Sequence, residues 1–254
     1  MMLPRTPSFR LDGRRALVTG GTRGIGLGAA VALAEAGAAV TIAARTAADV
    51  ETVANAMAGA GFAVEGVALD ITDTAAVKTF INDVEPFQVL VNSAGTARHS
   101  SFADISPANY QLVMDLNLSA TLFVSQAVVG RLQQAKLSGS IIHISSQMGH
   151  VGGPSRALYA ASKFAVEGLS KAMAIELGAH NIRVNTICPT FIETEMTAKN
   201  LGDPDFRAWV LSKIKLGRLG RIEDIMGPVV FLASDAAAMV TGASLLVDGG
   251  WTAE

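Results

Sequence analysis

Tyr159 and Lys163 are the pair in this sequence best suited to chemistry. Four residues apart within the apolar-periodic run 156–179, they fall on one face of a helix. A free phenol titrates near pH ~10 and is a poor acid–base group at neutrality. A neighbouring ammonium favours the phenolate and lowers that value by about one to three units. Such a phenol gives a proton to a carbonyl oxygen as hydride reaches the carbon, and takes it back in the reverse direction. A second donor must hold that oxygen, and the strand-like run 140–145 brings two hydroxyls, Ser145 and Ser146, to its end. Alone, a Tyr–Lys pair at this spacing is commonly a surface pair, and a serine after a strand is commonly a turn residue.

The second constellation is Thr19-Gly20-Gly21-Thr22-Arg23-Gly24-Ile25-Gly26, a glycine turn between a short apolar run and an Ala/Leu-rich helix. Glycines allow positive φ and close backbone approach. The free N–H groups and dipole of the following helix favour a pyrophosphate. The next apolar run ends Ile42-Ala43-Ala44-Arg45. An NAD site needs a carboxylate here for the ribose 2′-hydroxyl. Ala44 supplies none, and Arg45 offers a guanidinium that suits a 2′-phosphate. Arg23 is a second cation within reach, so NADP(H) is expected over NAD(H).

These groups need a scaffold, and the chain alternates strand and helix. Strands are expected at 15–19, 38–43, 63–69, 88–91, 140–145, 182–188 and 244–247, with helices over 25–36, 47–60, 74–84, 107–134, 156–179 and 222–234. Gly37 and Gly61 stop the first two helices, Pro86 ends the third and Pro107 opens the fourth. Strands apolar on both faces, with helices between them, imply right-handed crossovers and a parallel sheet. The expected fold is α/β: a single-domain Rossmann-type doubly wound sheet of about seven strands over residues 1–254, helices on both faces, ligand at the carboxyl strand ends.

The motifs, in this order, resemble the short-chain dehydrogenase/reductase family over nearly the whole chain. They are the T-G-x-x-x-G-x-G turn, Asn92-Ser93-Ala94-Gly95, Asn117, Ser146, Tyr159-x-x-x-Lys163, Pro189 and Val247-Asp248-Gly249-Gly250. The resemblance implies a catalytic set Asn117, Ser146, Tyr159 and Lys163, with Ser146 selected thirteen residues before the tyrosine. For the cofactor it implies Gly20, Thr22, Arg23, Gly24, Ile25, Gly26, Arg45, Asp70, Ile71, Asn92, Ala94, Gly95, Pro189, Ile192 and Thr194, besides Tyr159 and Lys163. Asp70 would reach the adenine or cap the next helix. Asn117 would anchor a proton relay to Lys163. The chain departs from the family at Thr190, where a glycine usually follows the proline.

The resemblance implies a secondary alcohol/ketone oxidoreductase, similar to gluconate 5-dehydrogenase-like enzymes of sugar acids and polyols and to 3-oxoacyl thioester reductases. A homotetramer is the family expectation, with Trp251 near an interface. Arg131, Lys136 and His180 form only a modest cation set for an acyl-carrier protein, so that partner is not favoured. The other class considered is a non-catalytic dinucleotide-binding scaffold or redox sensor. Residues 190–212 read as a substrate loop, with Arg98, His99, His150 and Arg156 near the mouth.

Composition narrows the classes. At 254 residues, half of them hydrophobic and 17% charged, the chain can bury a sizeable core and is not disordered. A net charge of −2 supplies no basic face for nucleic acid. One cysteine, Cys188, excludes a disulfide framework. His99, His150 and His180 look too scattered for a metal site, and His143 reads as a packed core residue. No signal peptide or membrane span is read: residues 27–44 are interrupted by Glu35, and 225–233 are too short at roughly 1.5 Å per residue. A cytoplasmic, small-molecule enzyme is expected.

Overall fold

The computed structural model describes residues 1–253. Seven strands form one wholly parallel sheet: β1 (Arg15–Thr19), β2 (Ala39–Ala44), β3 (Val64–Ala68), β4 (Val89–Asn92), β5 (Gly139–Ile144), β6 (Ile182–Pro189) and β7 (Ser244–Val247). Their spatial order is β3-β2-β1-β4-β5-β6-β7. The order reverses between β1 and β4, so the crevice beyond their carboxyl ends is the natural ligand site.

Helices α1 (Gly24–Glu35), α2 (Ala47–Gly59), α3 (Thr74–Asp83), α4 (Pro107–Met114), α5 (Ala120–Ala135), α6 (Ala157–Leu177), α7 (Glu195–Leu201), α8 (Pro204–Lys213) and α9 (Glu223–Ala233) make the outer layers. On one face α1 and α9 bury Ala30, Leu33, Val229 and Leu232 against Val18, Val40 and Val91. On the other, α3 and α5 bury Val77, Ile81, Val128 and Leu132 against Leu17, Leu90 and Ile141. The alternation of a strand's side chains thus feeds two cores at once. β3 is the exposed edge, with Glu65, Gly66 and Ala68 open to solvent, so not every strand is covered on both faces as expected.

Two departures from the expected elements bear on the site. The expected helix 107–134 is interrupted by a π-helical turn, Asp115–Ser119, which holds Asn117; such turns concentrate at functional sites. The expected loop 190–212 is mostly the helices α7 and α8. Thr194 and Thr197 form a capping box on the first, and Asp203 caps the second, with Pro204 opening it. The helical run Pro107–Ala135 also has the length and apolarity of a membrane span, which the sequence reading passed over; 44% of its apolar window is buried in the fold.

Candidate active site

A cleft of about 360 Å³ opens over the carboxyl ends of β1, β2, β4, β5 and β6. The β1–α1 turn is its floor. Gly20 has φ +67° and donates its N–H to Ala43 O at 2.8 Å. A Cβ on Gly26 would lie 2.1 Å from Gly20 O, so only glycine closes this turn. The start of α1 thereby faces the cleft with its backbone donors free for a diphosphate. Arg45 and Ala44 stand at one end, Tyr159 and Lys163 at the other, and Ala94, Gly95, Pro189, Ile192 and Thr194 between them. This cradle fits a nicotinamide dinucleotide, with Arg45 beside Ala44 at the end of β2.

Two expected cofactor residues stand outside that lining. Asp70 accepts from Thr72 N at 2.9 Å and Thr72 Oγ1 at 2.7 Å. It does not cap α3; Asp73 does. Asn92 points through the sheet, its Nδ2 donating to Ser125 Oγ at 2.9 Å and lying 3.0 Å from His143 Nδ1. It and the buried His143 tie β4, β5 and α5 together. Residues not foreseen in the lining include Leu69 and Leu116. Leu116 enters through the π-turn, which no sequence periodicity marks. The Thr190 hydroxyl oxygen is buried beside Pro189 without a hydrogen-bond partner among the described residues.

Ser146, Tyr159 and Lys163 meet at the inner end of the cleft. Ser146 Oγ donates to Gln147 Oε1 at 2.8 Å and accepts from Met148 N at 3.1 Å. Lys163 Nζ donates to Ile144 O at 2.8 Å and lies 5.7 Å from the Tyr159 ring centroid. Burial pushes the Tyr159 phenol above its ordinary value, against a hydrogen bond with Ser146 and the charge of Arg156. This departs from the expectation that Lys163 would depress it: in this arrangement desolvation outweighs the bond to Ser146 and the charge of Arg156. Burial also lowers Lys163 to about 8, against the pull of Cys188 and Glu167.

Asn117 does not touch Lys163. Its Oδ1 accepts from Thr96 N at 2.8 Å, and its Nδ2 donates to Thr96 O at 2.9 Å and Ser162 Oγ at 3.0 Å. It pins the loop after β4 to α6, one residue from the lysine.

Below Lys163 lies a network that sequence reasoning missed, although Glu167 sits one helical turn on from the lysine. The buried Glu167 accepts from Ser244 Oγ at 2.5 Å, Thr186 Oγ1 at 3.0 Å and Cys188 Sγ at 3.3 Å. Burial would raise this carboxyl, but its donors together hold it below the ordinary value. Burial, with Glu167 beside it, pushes the Cys188 thiol up to about 12. His150, expected at the substrate mouth, turns inward instead, with Nε2 3.3 Å from Cys188 Sγ and 3.8 Å from Glu167 Oε1. The three potential ligand atoms lie within 4.8 Å of one another, a grouping of one histidine with Glu167 and Cys188 that the sequence did not suggest. The carboxylate's oxygens are already engaged by hydroxyl and thiol donors.

Of the other mouth residues, Arg98 is exposed and bonds Thr96 Oγ1 and Ala97 O. His99 keeps an exposed edge and stands edge-on to Tyr159, ring centroids 6.2 Å apart. Arg156 is buried beside both. Phe191, Phe206, Trp209 and Trp251 form an aromatic wall with successive centroids 5.5–5.7 Å apart. Trp251 is therefore part of this wall, buried within its own chain.

A nucleotide-type crevice with a serine, tyrosine and lysine at its end defines a Rossmann-fold oxidoreductase. The family model described as enoyl-(acyl carrier protein) reductase matches residues 20–252, and the chain belongs to the short-chain dehydrogenase/reductase family. D-erythrulose reductase of Gallus gallus is 40% identical over 96% of this chain and 98% of its own. Gluconate 5-dehydrogenase of Gluconobacter oxydans is 36% identical over 96% of each. The crystal structure of a gluconate 5-dehydrogenase from Burkholderia cenocepacia, in complex with NADP and tartrate, superposes with TM-score 0.94 at 37% identity, covering 97% of this chain and 98% of that one. The chain is a short-chain alcohol dehydrogenase/ketoreductase.

Proposed function

We propose that this enzyme interconverts a secondary alcohol and a ketone on a sugar acid or polyol, with NADP(H) as its cofactor and Tyr159 as general acid/base. The observation carrying the reading is the cleft itself, with Tyr159, Ser146 and Lys163 at one end and Ala44-Arg45 at the other. Relatives that act on sugars, sugar acids and polyols support the substrate class, and solved relatives with NADP bound support the cofactor.

A nicotinamide dinucleotide bound in this cleft supplies or accepts the hydride. The chain's own residues do the rest. Burial keeps the Tyr159 phenol protonated at neutral pH, ready to donate to a carbonyl oxygen as charge develops there. Ser146 is the second donor to that oxygen. Lys163, anchored on Ile144 O, holds positive charge beside the ring and favours the phenolate left behind. Asn117 fixes the loop and helix that carry the site. Glycine backbone at the start of α1 takes the diphosphate, and Arg45 with Arg23 takes the 2′-phosphate. Residues 190–212, as α7 and α8, cover the substrate. In this reading the enzyme is a homotetramer, as expected from its family, and works in the cytoplasm, whose reducing conditions suit a chain with a single cysteine.

A 3-oxoacyl thioester on a carrier protein is the less favoured substrate. Of its expected docking cations, Arg131 is already tied to Val84 O and Gln134 Oε1.

The test is a panel of ketoses, keto acids and acyl thioesters followed by the absorbance of NADPH and of NADH. Turnover with NADPH is expected, and Tyr159→Phe should lose about 10²–10⁴-fold in kcat. Near-wild-type turnover by that variant would leave a dinucleotide-binding protein without this chemistry. Ala44→Asp should weaken NADPH binding by placing a carboxylate against the 2′-phosphate. A wild-type preference for NADH by about tenfold, worth ~1.4 kcal/mol, would overturn the cofactor assignment.

A further inference from the structure

Arg156 occupies a position that helix electrostatics disfavours. It is the N-cap of the 21-residue helix α6, and the first turn of that helix holds no acidic residue. A cation at the positive end of the macrodipole has the wrong sign. The preceding residue, Ser155, is held at φ +56°, a left-handed conformation unfavourable for serine. Yet the arginine is buried, with only 9% of its surface exposed. Its guanidinium lies 5.7 Å from the centroid of Phe206. No hydrogen bond or carboxylate engages that guanidinium among the described residues. Burying an unpaired charge is costly. Burial lowers its pKa, but from so high a value that it remains a cation.

Its surroundings say what would pair with it. Arg156, Tyr159 and Lys163 follow i, i+3, i+7, one stripe of α6. The charge of Arg156 acts on both the Tyr159 phenol and the His99 imidazole. Partial burial, and then that charge, hold His99 down to about 4, so the histidine is neutral and leaves the positive charge to Arg156. The aromatic wall closes the far side. The result is a guanidinium stacked over Phe206 at a helix N-terminus, beside the reacting phenol, with no hydrogen-bond or carboxylate partner among the described residues.

We propose that Arg156 and the N-terminus of α6 form an anion subsite for the substrate's own carboxylate. This rests on the oxidoreductase reading above and chooses within it: the enzyme acts on hydroxy acids and keto acids of the sugar-acid type in preference to neutral polyols and ketoses. A carboxylate bonds the guanidinium fork bidentately, and the carbon to be oxidised or reduced is then presented along the helix face to Tyr159.

The probe is sodium D-gluconate, with D-glucitol as its neutral counterpart, at constant ionic strength. Trp209, 5.6 Å from Phe206 between ring centroids, lets tryptophan fluorescence report binding without turnover. Gluconate is expected to quench the wild type at concentrations where glucitol does not. Arg156→Met should weaken gluconate binding by about 10–100-fold, the worth of a charge-assisted pair, and Arg156→Lys should restore part of it. In turnover, the ratio of kcat/KM for acid over neutral substrate should fall similarly in Arg156→Met, mainly through KM. Equal losses for acid and neutral substrates would make Arg156 a strut on Phe206 and overturn the subsite. Arg156-dependent gluconate binding by a protein with no turnover would uphold the subsite while the oxidoreductase reading fails. Turnover of neutral substrates without gluconate binding would do the reverse.

Discussion

Lys163 is a charge held in the interior at a cost to stability. Its folded pKa of about 8 lies below the ordinary lysine value of 10.5. Below pH ~8 the folded chain bears the full cost of the charge; between the two values the unfolded chain binds more protons, so stability rises with pH, and above the ordinary value the cost is gone. Lys163→Met is therefore expected to lose turnover while melting above the wild type near neutrality. The gap in Tm should narrow as the pH climbs towards ~10. Scanning calorimetry checks both, and a methionine variant that melts lower at every pH would mean that the bond to Ile144 O outweighs desolvation. At this scale helical spacing put Tyr159 and Lys163 on one face, and the strand end offered both Ser145 and Ser146, between which only the family resemblance chose Ser146. The sequence was silent on direction. Asn92 ends a strand just as Ser146 follows one, yet it faces the α5 core, and His150 turns under the lysine rather than over it. Which way a side chain leaves a turn depends on tertiary partners, here Ser125 and Cys188, that lie far along the chain.

Turns, more than helix interiors, decide what the elements do. The β1–α1 turn works because Gly26 lets Gly20 O approach where a Cβ would stand at 2.1 Å. Gly26→Ala must push the turn apart, at a strain of about 1–3 kcal/mol. The expected outcome is a folded protein by circular dichroism whose NADPH affinity, by calorimetric titration, drops about 10-fold or more. Wild-type affinity would remove this turn from the cofactor site. Such glycines were readable because glycine has few other reasons to cluster between a strand and a helix. The π-turn was not readable, since its five residues continue the helical pattern on both sides. Nor were α7 and α8, although the cap Asp203-Pro204 stood in the sequence. Their apolar residues face a wall built from Phe191 and the distant Trp251, so no local amphipathic stripe announces them.

Across the whole molecule, the parallel sheet covers its two faces unequally well. α4, the π-turn and α6 pack side by side, and outward from this layer stand Tyr110, Phe123 on α5 and Phe164, respectively 52, 40 and 50% exposed. Scattered apolar side chains on a surface need no partner, but large exposed ones on elements joined through the π-turn are where an association face is expected. If the chain forms the tetramer expected from the family, this is the face proposed for its contacts, since a self-complementary face closes by two-fold symmetry. Trp251, which the sequence suggested for such a contact, is instead consumed by the aromatic wall of its own chain. The wild type is expected to sediment at four times the chain mass at micromolar concentration. Phe123→Glu combined with Phe164→Glu would bury like charges against each other across that face, and should lower the species to dimer or monomer while far-ultraviolet circular dichroism stays native. If the wild type is already monomeric, these aromatics are ordinary exposed surface. If the double variant remains a tetramer, the contacts lie elsewhere, and the next place to look is the edge strand β7, where Leu246 and the nearby Met239 stand 43 and 99% exposed.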